Sequence, residues 1–126
     1  MIVGIGTDLV HIPRMQILLD KYDEKIAQRI LSDSEFLDFQ QTPRPAAFLA
    51  KRFAAKEATA KAFGTGFRDG LSLRDISVSN NTHGKPELNF YKQGQSLVEE
   101  LNIGRCFLSL SDESEYATAY VILMER

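Results

Sequence analysis

A second cysteine is missing from this chain of 126 residues, and so is any apolar run long enough to span a bilayer. The lone Cys106 has no partner for an intramolecular disulfide and no companion for a zinc knuckle, which points to a reducing compartment, the cytoplasm. Positive charge is not in excess either. Fifteen Lys and Arg stand against seventeen Asp and Glu, a net charge of −2, so no global field draws the chain to nucleic acid, and an anionic partner has to be met by a local patch. Internal repeats and low-complexity stretches are absent. The opening apolar residues have no basic region ahead of them, and their alternating glycines suit a strand rather than a signal peptide. The two histidines, His11 and His83, are isolated, and read as an exposed polar side chain and a turn residue.

What is present is the balance of an ordinary soluble domain, 44% hydrophobic and 25% charged, in a length that suits one unit spanning residues 1–126. Residues 2–10 are rich in Ile, Val and Leu and run to Pro13 at a first-turn position, which predicts a buried strand feeding a helix. Asp8 then sits near the strand's polar end. Residues 14–31 read as one or two amphipathic helices with a break near Tyr22 and Asp23. Ser32 with Glu35 three residues on has capping-box spacing and predicts a further short helix. Residues 46–63 are dense in alanine, lack glycine and proline, and end at Gly64-Thr65-Gly66, the strongest helix signal in the chain.

Downstream, Leu73, Ile76 and Val78 read as a strand, residues 80–84 as a turn and residues 88–91 as the partner strand. Residues 93–102 read as a helix, and residues 107–110 and 116–124 as two strands joined by an acidic turn. The order describes an α+β fold with mostly antiparallel strands. Both ends of the chain are apolar and β-rich, which allows extra burial by oligomerisation without counting subunits.

On the 46–63 helix, Glu57 and Lys61 lie about 40° apart, with Ala50, Phe53 and Ala54 on the same side. A charge pair on so small and apolar a face suggests a cavity, an ion or another charged chain, since burying unpaired charge is costly. An exposed i,i+4 salt bridge is the plainer alternative. Magnesium is commonly held by one or two carboxylates while substrate phosphates and water complete its oxygen shell, so Asp8 plus Glu57 is a sufficient set; for Asp8 alone a turn carboxylate is an equal reading. Arg44, Lys51, Arg52, Lys56 and Lys61 face the single acid Glu57 between residues 44 and 61, a local excess that suits a multiply phosphorylated ligand or, for some of them, a solvated helix face. Arg14, Leu18, Lys21 and Lys25 recur at three- and four-residue steps and predict one stripe of a helix.

Gly6-Thr7-Asp8 with Arg14 six residues on, followed by Phe53-Ala54-Ala55-Lys56-Glu57-Ala58-Thr59-Ala60-Lys61-Ala62, resembles the two signature segments of the holo-acyl-carrier-protein synthases, small bacterial phosphopantetheinyl transferases. The likeness extends through Gly64-Thr65-Gly66 and Gly84-Lys85-Pro86 to the last hairpin. It implies an antiparallel sheet with a long central helix, a homotrimer with active sites between subunits, and a magnesium cofactor. Coenzyme A would be the donor and an acyl carrier protein the acceptor, in support of fatty acid biosynthesis. It further implies metal ligation by Asp8 and Glu57, catalysis by these two with Lys61, donor binding by Phe53, Lys61, Gly64 and Pro86, and carrier binding by Arg14, Leu18, Lys21 and Lys25. Either Glu57 or a water on the metal is available to take the acceptor's proton. Where many relatives have histidine after the Ser109-Leu110-Ser111 segment, this chain has Asp112, so no role passes across at that position. Two other readings use the same residues: a magnesium-dependent hydrolase of pyrophosphate compounds, and a carrier-binding module without catalysis.

Overall fold

The computed structural model describes residues 1–126. Strand β1 (Ile2–His11) is followed by α1 (Ile12–Tyr22), α2 (Glu24–Ile30), α3 (Asp33–Gln41) and the long α4 (Pro45–Phe63). A short 3-10 turn (Leu73–Asp75) then leads into β2 (Ile76–Asn80), β3 (Pro86–Phe90), α5 (Lys92–Glu100), β4 (Ile103–Asp112) and β5 (Tyr116–Glu125). The strands form two antiparallel sheets, β1-β5-β4 and the hairpin β2-β3. This is the expected α+β class. Leu73 lies in the 3-10 turn rather than in a strand.

The glycines of β1 explain how α4 crosses the larger sheet. A Cβ built on Gly4 would stand 1.9 Å from the Ala62 carbonyl oxygen, and one on Gly6 1.8 Å from that of Ala58. Strand and helix backbones therefore touch, and no side chain fits between them. From β5, the small Ala117 and Ala119 face the same helix and are fully buried. Alanine density in α4 is thus a packing device that brings the helix within backbone reach of the sheet on one side, while Leu49 and Ala50 pack into the α1–α3 layer on the other.

The expectation that β1 is buried holds for one face only. Gly4, Gly6, Asp8 and Val10 turn toward α4, while Ile5 and Leu9 are 68% and 66% exposed, and Tyr120 of the neighbouring β5 is 61% exposed. Phe107 and Ile122 extend this outer apolar face.

Pro13 occupies the first turn of α1, and Gly64 closes α4 in the left-handed region at φ 83°. The predicted break falls at Asp23, whose φ of 54° ends α1 and starts α2. Lys25 consequently belongs to a different helix from Arg14, Leu18 and Lys21, and the four do not form the single helical stripe that their spacing predicts. The capping box is present: Ser32 N donates to Glu35 Oε1 at 2.9 Å, and Ser32 Oγ accepts from Glu35 N. No helix is long and apolar enough to cross a membrane.

Candidate active site

Between the polar end of β1, the α1–α2 elbow and the middle of α4 lies a cavity of about 370 Å³. Asp8 reaches it because β1 alternates: with Gly4 and Gly6 pressed on α4, the next residue on that face projects just beyond the close contact. Glu57 reaches it from α4. Arg14 and Arg29 supply two cations to its lining, and Leu18, Ile26 and Phe53 part of its apolar wall.

Lys61 does not pair with Glu57 in the plain i,i+4 manner. Its Nζ donates to Asp8 Oδ1 at 3.1 Å and to the Thr7 carbonyl at 3.0 Å, tying α4 to β1 at the edge of the cavity. Burial, then the charge of Asp8, push the Glu57 carboxyl above the usual carboxylate range, and Lys61 opposes the shift. Asp8 and Glu57 bring two carboxylates to one cavity, with Arg14 and Arg29 in the same lining and Lys61 holding Asp8 at its edge. The two carboxylates are of the oxygen-ligand type a divalent cation takes, although no group of three His, Cys, Asp or Glu side chains is clustered in the chain.

Other expected site residues are dispersed. Lys21 lies over the Tyr22 ring, 5.2 Å from its centroid, and neither it nor Lys25 lines the cavity. Gly64 ends α4, and Pro86 borders a separate cleft between β3 and β4. Asp112, at the end of β4, lies 3.3 Å from Lys51 and outside the Asp8 cavity.

The basic excess of α4 is corrected most sharply. Lys56 is fully buried and Arg52 is 5% exposed; both surround Glu35, itself fully buried, so neither is free to meet a phosphorylated ligand. With Lys51 beside Asp112, only Arg44 and Lys61 of the five remain exposed.

Sequence reasoning also missed Arg29 and His11. His11 is half-buried at the cavity, its ring 5.1 Å from that of Tyr116, rather than an exposed polar residue. The signal for Arg29 was its position one turn beyond Lys25 in an amphipathic helix.

Residues 4–121 match the model of the 4′-phosphopantetheinyl transferase superfamily. The chain belongs to that superfamily. It is 52% identical over 123 residues to the holo-[acyl-carrier-protein] synthase of Nitrosospira multiformis, covering 98% of each chain. Its fold is similar to the crystal structure of holo-[acyl-carrier-protein] synthase from Neisseria meningitidis, with TM-score 0.94 and 44% identity over 99% of this chain and 100% of that one. It is also similar to the Bacillus anthracis holo-(acyl-carrier-protein) synthase in complex with CoA (3′,5′-ADP), with TM-score 0.83 and 37% identity over 100% and 99% of the two chains. Within this superfamily member, the two carboxylates and Lys61 are the polar groups that the backbone contact between β1 and α4 brings together.

Proposed function

We propose that this protein, acting as one domain over residues 1–126, is a holo-acyl-carrier-protein synthase. It moves the 4′-phosphopantetheine arm of coenzyme A onto a serine of an apo-acyl carrier protein, releases adenosine 3′,5′-bisphosphate, and so supports fatty acid biosynthesis. The observation that carries the reading is the meeting of Asp8 and Glu57 at one cavity, with Lys61 held on Asp8, in a chain so similar to synthases of that name.

Asp8 and Glu57 would hold magnesium, which when bound supplies the positive charge that the donor's pyrophosphate needs as its bridging bond breaks. Lys61, held by Thr7 and Asp8, keeps an ammonium beside the transferring group, and positioning with electrostatics dominates such a step. Either Glu57, which lines the cavity beside Asp8, or a water on the metal would accept the serine proton. Arg14 and Leu18 line the mouth on the acceptor side, with Lys21 and Lys25 adding charge on the exposed surface outside it. Phe53, Lys61, Gly64 and Pro86 form the donor side.

Because Gly64 and Pro86 lie away from the Asp8 cavity, the donor site is completed only if a neighbouring subunit brings them in. The exposed Ile5, Leu9 and Tyr120 support such an assembly: burying large apolar side chains is worth about 1.5–3 kcal/mol each. A homotrimer in the cytoplasm is the form proposed. Sedimentation equilibrium should return three times the 14.2 kDa chain mass.

The decisive experiment incubates the protein with coenzyme A, magnesium and apo-carrier and weighs the carrier. A gain of one phosphopantetheine is expected, dependent on magnesium. Free phosphopantetheine with an unmodified carrier would instead favour a pyrophosphate hydrolase.

A further inference from the structure

Lys56 is one residue before Glu57, yet it points about 100° away around α4, into the interior. There its Nζ donates to Glu35 Oε1 at 2.6 Å and to the carbonyls of Ile76 at 2.6 Å, Ile30 at 2.8 Å and Leu73 at 3.0 Å. An ammonium has three protons, so four acceptors share them and every one is engaged. Glu35 is equally committed, accepting from Ser32 N and Val78 N as well. One side chain thus joins the C-terminal end of α2, the start of α3, the 3-10 turn and β2 to α4.

Two of those carbonyls belong to residues whose side chains line the cavity, Ile30 and Leu73. Neither is held there by a strand. Ile30 is the last residue of α2, where carbonyls have no intrahelical donor, and Leu73 opens a 3-10 turn. Lys56 supplies the missing donor to Ile30, and to the Leu73 carbonyl, which already accepts from Ile76 N, a second one from another element. An apolar side chain at position 56 would fill the volume, leave the Ile30 carbonyl buried without a partner and cut the tie between the Leu73 carbonyl and α4.

We infer that Lys56 is a positioning residue for acceptor recognition: by fixing the Ile30 and Leu73 carbonyls it sets the apolar wall against which the carrier's helix seats. The inference rests on the proposed transferase reading. Arg14 and Arg29 beside that wall give the surface an acidic helix with an apolar centre would fit.

The test is Lys56→Met, in which Glu35 keeps Arg52, whose Nε lies 4.0 Å from its Oε2, as a counter-charge. With folding checked by circular dichroism, the carrier's KM should rise tenfold or more, while the KM for coenzyme A and kcat stay within twofold. A purely structural lysine would lower kcat through the folded fraction and leave both KM values alone; that result, or an equal rise in both, overturns the inference. If Lys56→Met does not fold, Leu73→Ala decides, since it leaves the ammonium's contacts intact: an unchanged carrier KM overturns the wall's role. Should the wild type modify no carrier, the transferase reading fails on its own account. Hydrogen exchange then tests the positioning itself. The amides of residues 31–32 and 74–78 should exchange at least tenfold faster in Lys56→Met, and unchanged protection refutes it.

Discussion

Two lysines of α4, Lys56 and Lys61, each meet one carboxylate brought from elsewhere in the chain, and they end in opposite roles. Lys56 and Glu35 are both fully buried, and backbone carbonyls and amides complete their hydrogen bonding. The side chain of Lys61 is 54% exposed and that of Asp8 16%, and their contact borders a cavity. Enclosed charge has no spare capacity: each donor is assigned, and the pair joins elements together. Open charge keeps capacity for a ligand. Ion-pair chemistry is the same in both places, and access to solvent decides which pair is closed and which stays open to a ligand.

Removing Glu35 should do the greatest damage. It is the anion nearest to both Lys56 and Arg52, and breaking a buried pair from one side costs about 3–5 kcal/mol. Denaturant unfolding of Glu35→Ala should show that loss, whereas Lys61→Met should stay within about 1 kcal/mol of the parent. Equal losses would erase the distinction between the two pairs.

Glu57→Gln should reverse the pattern, with an unfolding midpoint like the parent's but kcat lower by about a hundredfold or more, the scale on which preorganised charge acts. Parental turnover at limiting magnesium would remove Glu57 from the chemistry.

Gly6→Ala links the two regions, because its Cβ would meet a backbone oxygen at 1.8 Å and push β1, carrying Asp8, away from α4, carrying Glu57. A stability loss of about 1–3 kcal/mol is expected together with reduced transfer. Stability loss with full activity would show that the Asp8–Glu57 spacing is not critical.

The smallest effect belongs to Arg14→Glu. A several-fold rise in the carrier's KM is expected, larger at low salt, with little change for coenzyme A. Steady-state kinetics at two ionic strengths would reveal it, and equal effects on both substrates would move Arg14 off the acceptor side.

Much of the fold was legible because its signals are local. Pro13 at the start of α1, the Ser32–Glu35 box, the alanine run and the closing Gly64 each act within a few residues, so spacing alone reveals them. Glu57 and Lys61 were legible as one helix face from their spacing, whereas their pairing with Asp8 was visible through resemblance. Arg52 and Lys56 were misread because a basic residue in a helix looks the same whether its partner is water or a glutamate from another helix.

The sequence by itself determined the helices, the turns and the glycine positions at which two backbones could meet, since these follow from backbone sterics and nearest neighbours. Only the tertiary structure decided which charges are interior. That choice depends on contacts between residues far apart in the chain, Glu35 with Lys56 and Asp8 with Lys61, and charge in a protein takes its meaning from the solvent it loses.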